Sequence, residues 1–60
     1  MHQYFCIMKH TKGTSYEHDC YLLDSKYRIK KFKYRESAKY ECARLNMEKS
    51  KNCSYYIVRW

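Results

Sequence analysis

RESAKYECARLNME, the sequence of residues 35–48, carries the clearest periodicity in the chain. Ala38, Cys42 and Leu45 recur at i, i+4 and i+7, a spacing that places them in one stripe of an α-helix. Most of the residues between them are good helix formers. Tyr34 stands where a Ser, Thr or Asp cap would be expected. The pattern therefore predicts a helix over residues 35–48 whose apolar stripe needs a partner surface.

Four segments around this helix are rich in β-branched and aromatic residues and predict strands. They cover residues 3–9, 19–23, 27–32 and 54–59, and loops are predicted at 10–16, 24–26 and 49–52. The first strand is apolar on both sides, so we expect it to be central. The last could return beside the first and run parallel to a neighbour. The order β-β-β-α-β predicts one small α+β domain over residues 1–60, with the helix on one face of a three- to four-stranded, mainly antiparallel sheet.

The composition argues against an enzyme. Sixty residues leave little room for a deep pocket, because ligand sites typically need roughly 300 Å³ or more. The chain has a single glycine and therefore no glycine-rich phosphate loop, and it shows no GxSxG, HExxH or paired-carboxylate pattern. We expect a non-catalytic binding protein with no cofactor and no small-molecule substrate.

Positive charge dominates the chain and is concentrated in one segment. Thirteen Lys and Arg stand against six Asp and Glu, a formal net charge of +7. Between residues 26 and 35, basic residues alternate with Tyr, Ile and Phe, as in a strand with a cationic face. Such a face suits nucleic acid, with cations on the phosphates and Tyr rings stacked on bases. The candidate binding residues are Lys26, Arg28, Lys30, Lys31, Lys33 and Arg35.

Two alternatives stand beside this hypothesis. The cationic face could instead dock on an acidic protein surface. It could also be no more than the solvated side of an edge strand guarded by lysines. Alternation predicts that Arg28 and Lys30 share the sheet face away from the helix with Tyr4, Tyr55 and Arg59, or with their neighbours. A one-residue slip of register exchanges the two sets.

The outer side of the helix offers a second candidate contact. Tyr40, Ala43 and Met47 follow i, i+3, i+7 spacing opposite the buried stripe, and Arg44 lies beside them. Tyr, Met and Arg are enriched at protein interfaces, so Tyr40, Arg44 and Met47 could contact a protein. The alternative is that a domain of this size exposes such residues by necessity. The oligomeric state stays open.

The cysteines give no metal or disulfide pattern. Cys6, Cys20, Cys42 and Cys53 lie far apart in sequence, and His18 with Cys20 is the only close His–Cys pair. Structural zinc sites usually show at least one tight pair of ligands on a turn. We expect four reduced thiols at core positions and no metal, with disulfides and metal ligation as the alternatives.

The first residues, MHQYFC, lack the basic leader and apolar run of a secretory signal. No apolar run elsewhere approaches the length of a membrane span. We therefore expect a cytoplasmic protein that does not contact a membrane.

Three segments together resemble a known group of proteins. They are FKYRESA at residues 32–38, CARLN at 42–46 and YYIV at 55–58, about half the chain. The pattern is similar to small uncharacterised accessory proteins of phages and prophages, in which a strand ending in Phe precedes a helix that begins Arg-Glu-x-Ala and closes on Leu-Asn. The resemblance implies a phage protein in the host-cell cytoplasm that binds nucleic acid. Its alternative implication is an inhibitor that binds an acidic surface of a host defence or DNA-processing enzyme.

Overall fold

The computed structural model describes residues 3–49 and 51–60, so Met1, His2 and Ser50 lie outside the described residues. It confirms the α+β class and the β-β-β-α-β order, with one helix and a four-stranded sheet. The elements are β1 (Phe5–Lys12), β2 (Glu17–Tyr21), β3 (Lys31–Phe32), α1 (Arg35–Glu48) and β4 (Cys53–Arg59). All three strand pairings are antiparallel.

β1 is the central strand, as its two apolar sides predict. β4 pairs along one side of it, while β2 and β3 share the other side one after the other. The prediction that the last strand runs parallel to a neighbour is wrong. α1, about 21 Å long at 1.5 Å per residue, carries the chain from one end of the sheet to the other. β3 and β4 consequently run in the same direction, but β1 lies between them and is antiparallel to both.

The strand register sorts the side chains onto two faces, because directly paired residues of an antiparallel sheet point the same way. The helix face carries Phe5, Ile7 and Ile57, and the helix stripe of Ala38 and Cys42 is buried, as predicted. We call the opposite surface the open face. Its residues are Cys6, Met8, His10, Lys12, Glu17, Asp19, Tyr21, Lys31, Ser54, Tyr56 and Val58, continued past the end of β4 by Trp60.

The third strand is much shorter than predicted, because its first half is a turn built around Asp24. The carboxylate Oδ1 of Asp24 accepts hydrogen bonds from the backbone N–H groups of Lys26 (2.8 Å) and Arg28 (3.0 Å). Tyr27 has φ 62°, which is left-handed backbone and not strand. The predicted turn at 24–26 therefore extends to residue 28.

The loop of the first hairpin is shorter than predicted, because both strand boundaries shift toward it: β1 ends later, and β2 begins and ends two residues earlier than predicted, at Glu17 and Tyr21. β1 starts two residues late and continues to Lys12, so the predicted loop at 10–16 shrinks to residues 13–16. The His10 ring explains the shift, since it lies 2.7 Å from Asp19 and 3.0 Å from Glu17 across the strand pair. These contacts keep His10, Glu17 and Asp19 in strands, although the strand propensity of such polar residues is low.

α1 begins and ends at the predicted residues. Its Tyr34 N-cap makes no side-chain hydrogen bond to the first turn. β4 begins one residue before the predicted start of the last strand. Of the predicted exit loop at 49–52, Ser50 lies outside the described residues.

Asn46 ties the end of α1 to the outer edge of β4. Its Nδ2 donates to the backbone oxygen of Tyr55 (3.0 Å), and its Oδ1 accepts from the Tyr55 N–H (2.9 Å). The Asn46 amide thereby makes the two hydrogen bonds with the Tyr55 backbone that a residue of a neighbouring strand would make. Edge strands with open backbone groups tend to pair with other chains, so this contact also shields the middle of β4.

Replacing Asn46 by Ala should lower the free energy of unfolding by about 2 kcal/mol, because two hydrogen bonds disappear and a part-buried N–H and C=O lose their partner. Urea unfolding followed by circular dichroism measures the change. Met47→Ala is the matched control on the exposed side of the same turn and should cost under about 0.5 kcal/mol. Equal losses in both variants would contradict the role given to Asn46.

Replacing Tyr27 by Gly should stabilise the fold by roughly 0.5–1 kcal/mol. The left-handed backbone costs a non-glycine residue about 1–2 kcal/mol, and the greater freedom of glycine in the unfolded chain offsets part of the gain. Lys26→Gly tests the same loop at an ordinary backbone position and should be destabilising. A loss of stability in Tyr27→Gly would show that the turn carries no such strain.

Candidate nucleic-acid interface

The basic segment predicted to form one cationic face is instead gathered at one end of the sheet. This end is where β1 starts, where β3 and β4 finish and where α1 begins, since Phe5 pairs with both Phe32 and Arg59. We call it the basic end. Its cations are Arg28, Lys31, Lys33, Arg35 and Arg59, while Lys26 lies exposed in the turn at 24–28.

Lys30 does not lie on the open face, and this part of the prediction is wrong. Its Nζ donates to Glu41 Oε2 of α1 at 2.8 Å, on the helix face. Lys31 takes its place on the open face, because it pairs with Cys6. Alternation places Arg28 and Lys30 on one face only within a continuous strand. Arg28 still belongs to the turn around Asp24, and strand-like pairing resumes only at Ile29, which bridges Leu23.

Three aromatic side chains lie on the open face beside Lys31. Trp60 is 51% exposed, Tyr56 41% and Tyr21 36%. The rings of Tyr21 and Trp60 meet edge to face with centroids 5.7 Å apart. Lys31 Nζ lies 4.3 Å from the Trp60 ring centroid, within the range of a cation–π contact. Tyr56 and Trp60, the neighbours of the expected Tyr55 and Arg59, thus lie on this face, whereas Tyr4 itself shares the parity of Cys6 and Met8.

Trp60 is a site residue that the sequence prediction missed. It follows the last predicted strand directly, and its backbone N–H still donates to the Tyr4 oxygen (2.8 Å), so it continues the pairing of β4 with β1. Strand alternation from Tyr56 through Val58 would have placed it on the same face. The sequence therefore contains the alternation that places Trp60, but the face it predicts depends on the strand register.

A shallow pocket of about 470 Å³ opens at this place. Its lining combines one aromatic ring, two cations, one carboxylate and one aliphatic side chain: Trp60, Arg28, Lys31, Asp24 and Ile29. Hydrogen bonds from the backbone of Arg28 and Lys26 lower the pKa of Asp24, which is therefore an anion at neutral pH. Ring and cations together suit a planar group that carries a phosphate.

The far end of the open face carries charges of both signs. His10 lies between the carboxylates of Asp19 and Glu17 at hydrogen-bond distance. Lys12 pairs with Glu17, and together with Lys49 and Lys51 it lines a pocket beside His10. Burial in the sheet and the neighbouring Asp19 raise the pKa of Tyr56. An anionic ligand on this face therefore meets attraction near Trp60 and a mixture of both charges at the far end.

The candidate protein contact on α1 is exposed, as expected, but its arginine is engaged. Tyr40 and Met47 are among the most exposed residues, at 83% and 88%. Arg44 donates to Glu41 and to Glu48 (3.2 Å) within the helix. Its guanidinium is thus held by intramolecular ion pairs, and the contact stays a prediction.

Two cysteines are core residues and one is not. Cys6 and Cys42 are buried, and burial raises the pKa of both thiols. Cys53 is half-buried near Thr11, whereas Cys20 is exposed on β2, so the expectation of four core positions is wrong for Cys20. The four form no disulfide with one another. Within residues 3–49 and 51–60, no group of His, Cys, Asp or Glu is arranged to hold a metal ion.

Comparison with known proteins gives no match: no family model, no curated protein and no solved structure is similar to the chain. The phage resemblance of the sequence stays a prediction. In the described part of the chain, no helix has the length and apolar character needed to cross a membrane.

Glu41→Gln should reduce stability at neutral pH by about 1 kcal/mol, because Glu41 accepts charge-assisted hydrogen bonds from Lys30 and Arg44. The Lys30 bond, followed by the Arg44 bond, lowers the pKa of Glu41 below its ordinary 4.5. A lowered pKa means that the stabilisation is complete above the unfolded-state value and disappears as pH falls through the folded-state value. The difference between wild type and variant should therefore shrink in acid.

Urea titrations from neutral pH down to about pH 3 measure this difference. Glu36→Gln is the matched control, since Glu36 makes no ion pair with any described residue, and it should change stability by a few tenths of a kcal/mol. A wild-type advantage over Glu41→Gln that stays constant across the acid range would contradict the ionic origin of the effect.

Proposed function

We propose that the protein binds single-stranded nucleic acid stoichiometrically, without catalysis, through the basic end of its open face. The observation that supports this best is the grouping of Lys31 and Arg28 around the exposed ring of Trp60, in one pocket with Tyr21 alongside. A base stacks on the indole, and the two cations meet the phosphates on either side of it.

Lys31 must leave the Trp60 ring for a base to lie there. An exposed cation–π contact contributes about 0.5–1 kcal/mol, whereas stacking of a base on an aromatic side chain contributes about 1–3 kcal/mol. The exchange is therefore favourable even before Lys31 gains a phosphate partner. In the free protein the ring holds the ammonium group beside the place where the phosphate arrives.

A single strand fits this arrangement better than a duplex. Paired bases are stacked on each other and offer no face to Trp60, while unpaired bases can be splayed onto an aromatic ring. Besides its cations, the pocket is lined by the carboxylate of Asp24 and by Trp60, whose indole N–H is a single donor, so we expect modest base preference. The excess of seven positive charges adds attraction to any polyanion.

The carboxylates of Asp19 and Glu17 give the bound strand a direction, because they lie at the other end of the open face from Lys31. Phosphates stay near Lys31 and away from these two carboxylates. The strand therefore crosses the basic end transversely and does not follow β1. Such a binder would suit the accessory role in an infected cell that the sequence resemblance implies.

Fluorescence of the single tryptophan tests the proposal directly. Adding a single-stranded DNA or RNA oligonucleotide at low salt should quench Trp60 emission, because the base stacks on the indole. The slope of log K against log salt should be near −0.7 for each phosphate neutralised. Lys31→Glu should weaken binding at least tenfold and reduce the slope by about 0.7.

Lys49→Glu is the matched control at the far end of α1, away from the basic end. Each of these two substitutions exchanges one positive for one negative charge and takes the formal net charge from +7 to +5. General attraction is therefore equal in both variants. Absence of quenching by every oligonucleotide, or equal weakening by both substitutions, would defeat the proposal. Capture of one acidic protein from nuclease-treated lysate, lost in Lys31→Glu, would instead favour the inhibitor alternative.

A further inference from the structure

A second groove lies at the basic end, on the other side of the sheet from the Trp60 pocket. It has a volume of about 290 Å³ and is lined by Phe5, Arg35, Ile57, Val58 and Arg59. Arg59 belongs to β4 and pairs with Phe5 on the helix face, and Arg35 begins α1. The groove is thus lined by two arginines from separate elements and by one aromatic residue.

Neither arginine has an ion-pair partner among residues 3–49 and 51–60. Arg28 and Arg44, in contrast, each lie near a carboxylate of the same chain. Arg35 and Arg59 thus line one groove as a pair of like charges, with no described carboxylate bound to either. Two positive charges around one groove repel each other unless an anion lies between them.

The backbone of β4 supplies a further donor to this groove. Asn52 and Trp60 bond to β1 through their backbone, so even-numbered residues of β4 face β1 and odd-numbered residues face outward. Tyr55 fits this parity, because its outward groups bond to the Asn46 side chain. The N–H of Ile57 consequently points to the free edge of the sheet, where the groove lies.

We infer that this groove is a phosphate site, and that it binds the backbone of the same strand whose base stacks on Trp60; the inference rests on the proposed function. Arg59 and Trp60 are consecutive residues of an extended segment, so their side chains point to opposite faces. A strand that passes over the end of β4 meets both. Guanidinium groups bind phosphate oxygens through two parallel hydrogen bonds, which suits this place.

The path around the end of the sheet makes the site selective for flexible, unpaired nucleic acid of sufficient length. A dinucleotide occupies the Trp60 pocket alone, because its backbone is too short to reach the groove as well. An octanucleotide reaches both. Duplex DNA has a persistence length of about 150 base pairs and cannot bend around one edge of a sheet.

The test compares Arg35→Ala and Arg59→Ala with Lys49→Ala, a control cation at the other end of α1. Binding of a thymidine dinucleotide and a thymidine octanucleotide is followed through Trp60 quenching at fixed salt. Each arginine variant should weaken octanucleotide binding about tenfold, the loss expected for charge-assisted hydrogen bonds, and leave dinucleotide binding unchanged. Lys49→Ala should affect neither ligand beyond about twofold.

Arg35→Lys and Arg59→Lys keep the charge and the aliphatic stem, so they carry the test if an alanine variant does not fold. They should recover only part of the octanucleotide affinity, since an ammonium group cannot form the paired bonds of a guanidinium. If the arginine variants bind the octanucleotide as tightly as Lys49→Ala does, the phosphate site is overturned. The proposed function still stands in that case, provided that the oligonucleotide quenches Trp60 in the wild type. Absence of quenching in wild type would defeat both.

Discussion

Cys6 and Ile7 are consecutive residues of β1, they point to opposite faces of the sheet, and both are fully buried. This double burial is the constraint on which the rest of the structure depends. Ile7 is covered from the helix face, where α1 packs on β1 and β4. Cys6 has Val58 and Lys31 as its cross-strand neighbours on the open face. The sheet therefore holds Lys31 and, through β4, Trp60 at the part of the open face where Cys6 must be shielded from water.

The open face is consequently not a uniform surface. At the basic end its side chains cover Cys6, and they also form the cation–aromatic grouping around Trp60. At the other end β2 is exposed along its whole length and contributes the two carboxylates that flank His10. The burial requirement of one strand thus separates the proposed binding region from a region of mixed charge. The same register directs the free backbone groups of β4 toward the groove of Arg35 and Arg59.

The elements set by side-chain periodicity could be predicted from the sequence, and those set by local backbone geometry could not. The helix stripe of Ala38 and Cys42 is a pattern of period 3.6, and both helix ends agree with the structure. The prediction for the third strand is wrong because it extends the two-residue alternation of a strand back to residue 27, which lies in a turn. No pattern of hydrophobicity records that the Asp24 carboxylate bonds two backbone N–H groups and turns Tyr27 left-handed. The exchange of Lys30 for Lys31 on the open face follows from that single turn.

The gathering of cations at one end has an energetic consequence for the free protein. Like charges close together oppose folding, and a domain of this size has a small stability margin to offset them. Three lysines of the segment lie near aromatic rings: Lys30 near Phe32, Lys31 near Trp60 and Lys33 near Tyr34. These contacts are weak and exchangeable. Lys30 also has Glu41 as an ion-pair partner, whereas Lys31 and Lys33 have no carboxylate partner among the described residues. Arg35 and Arg59 have neither a carboxylate nor an aromatic ring as a partner among the described residues. An arriving polyanion would therefore relieve repulsion that the fold already carries, and binding and folding would reinforce each other at this end of the sheet.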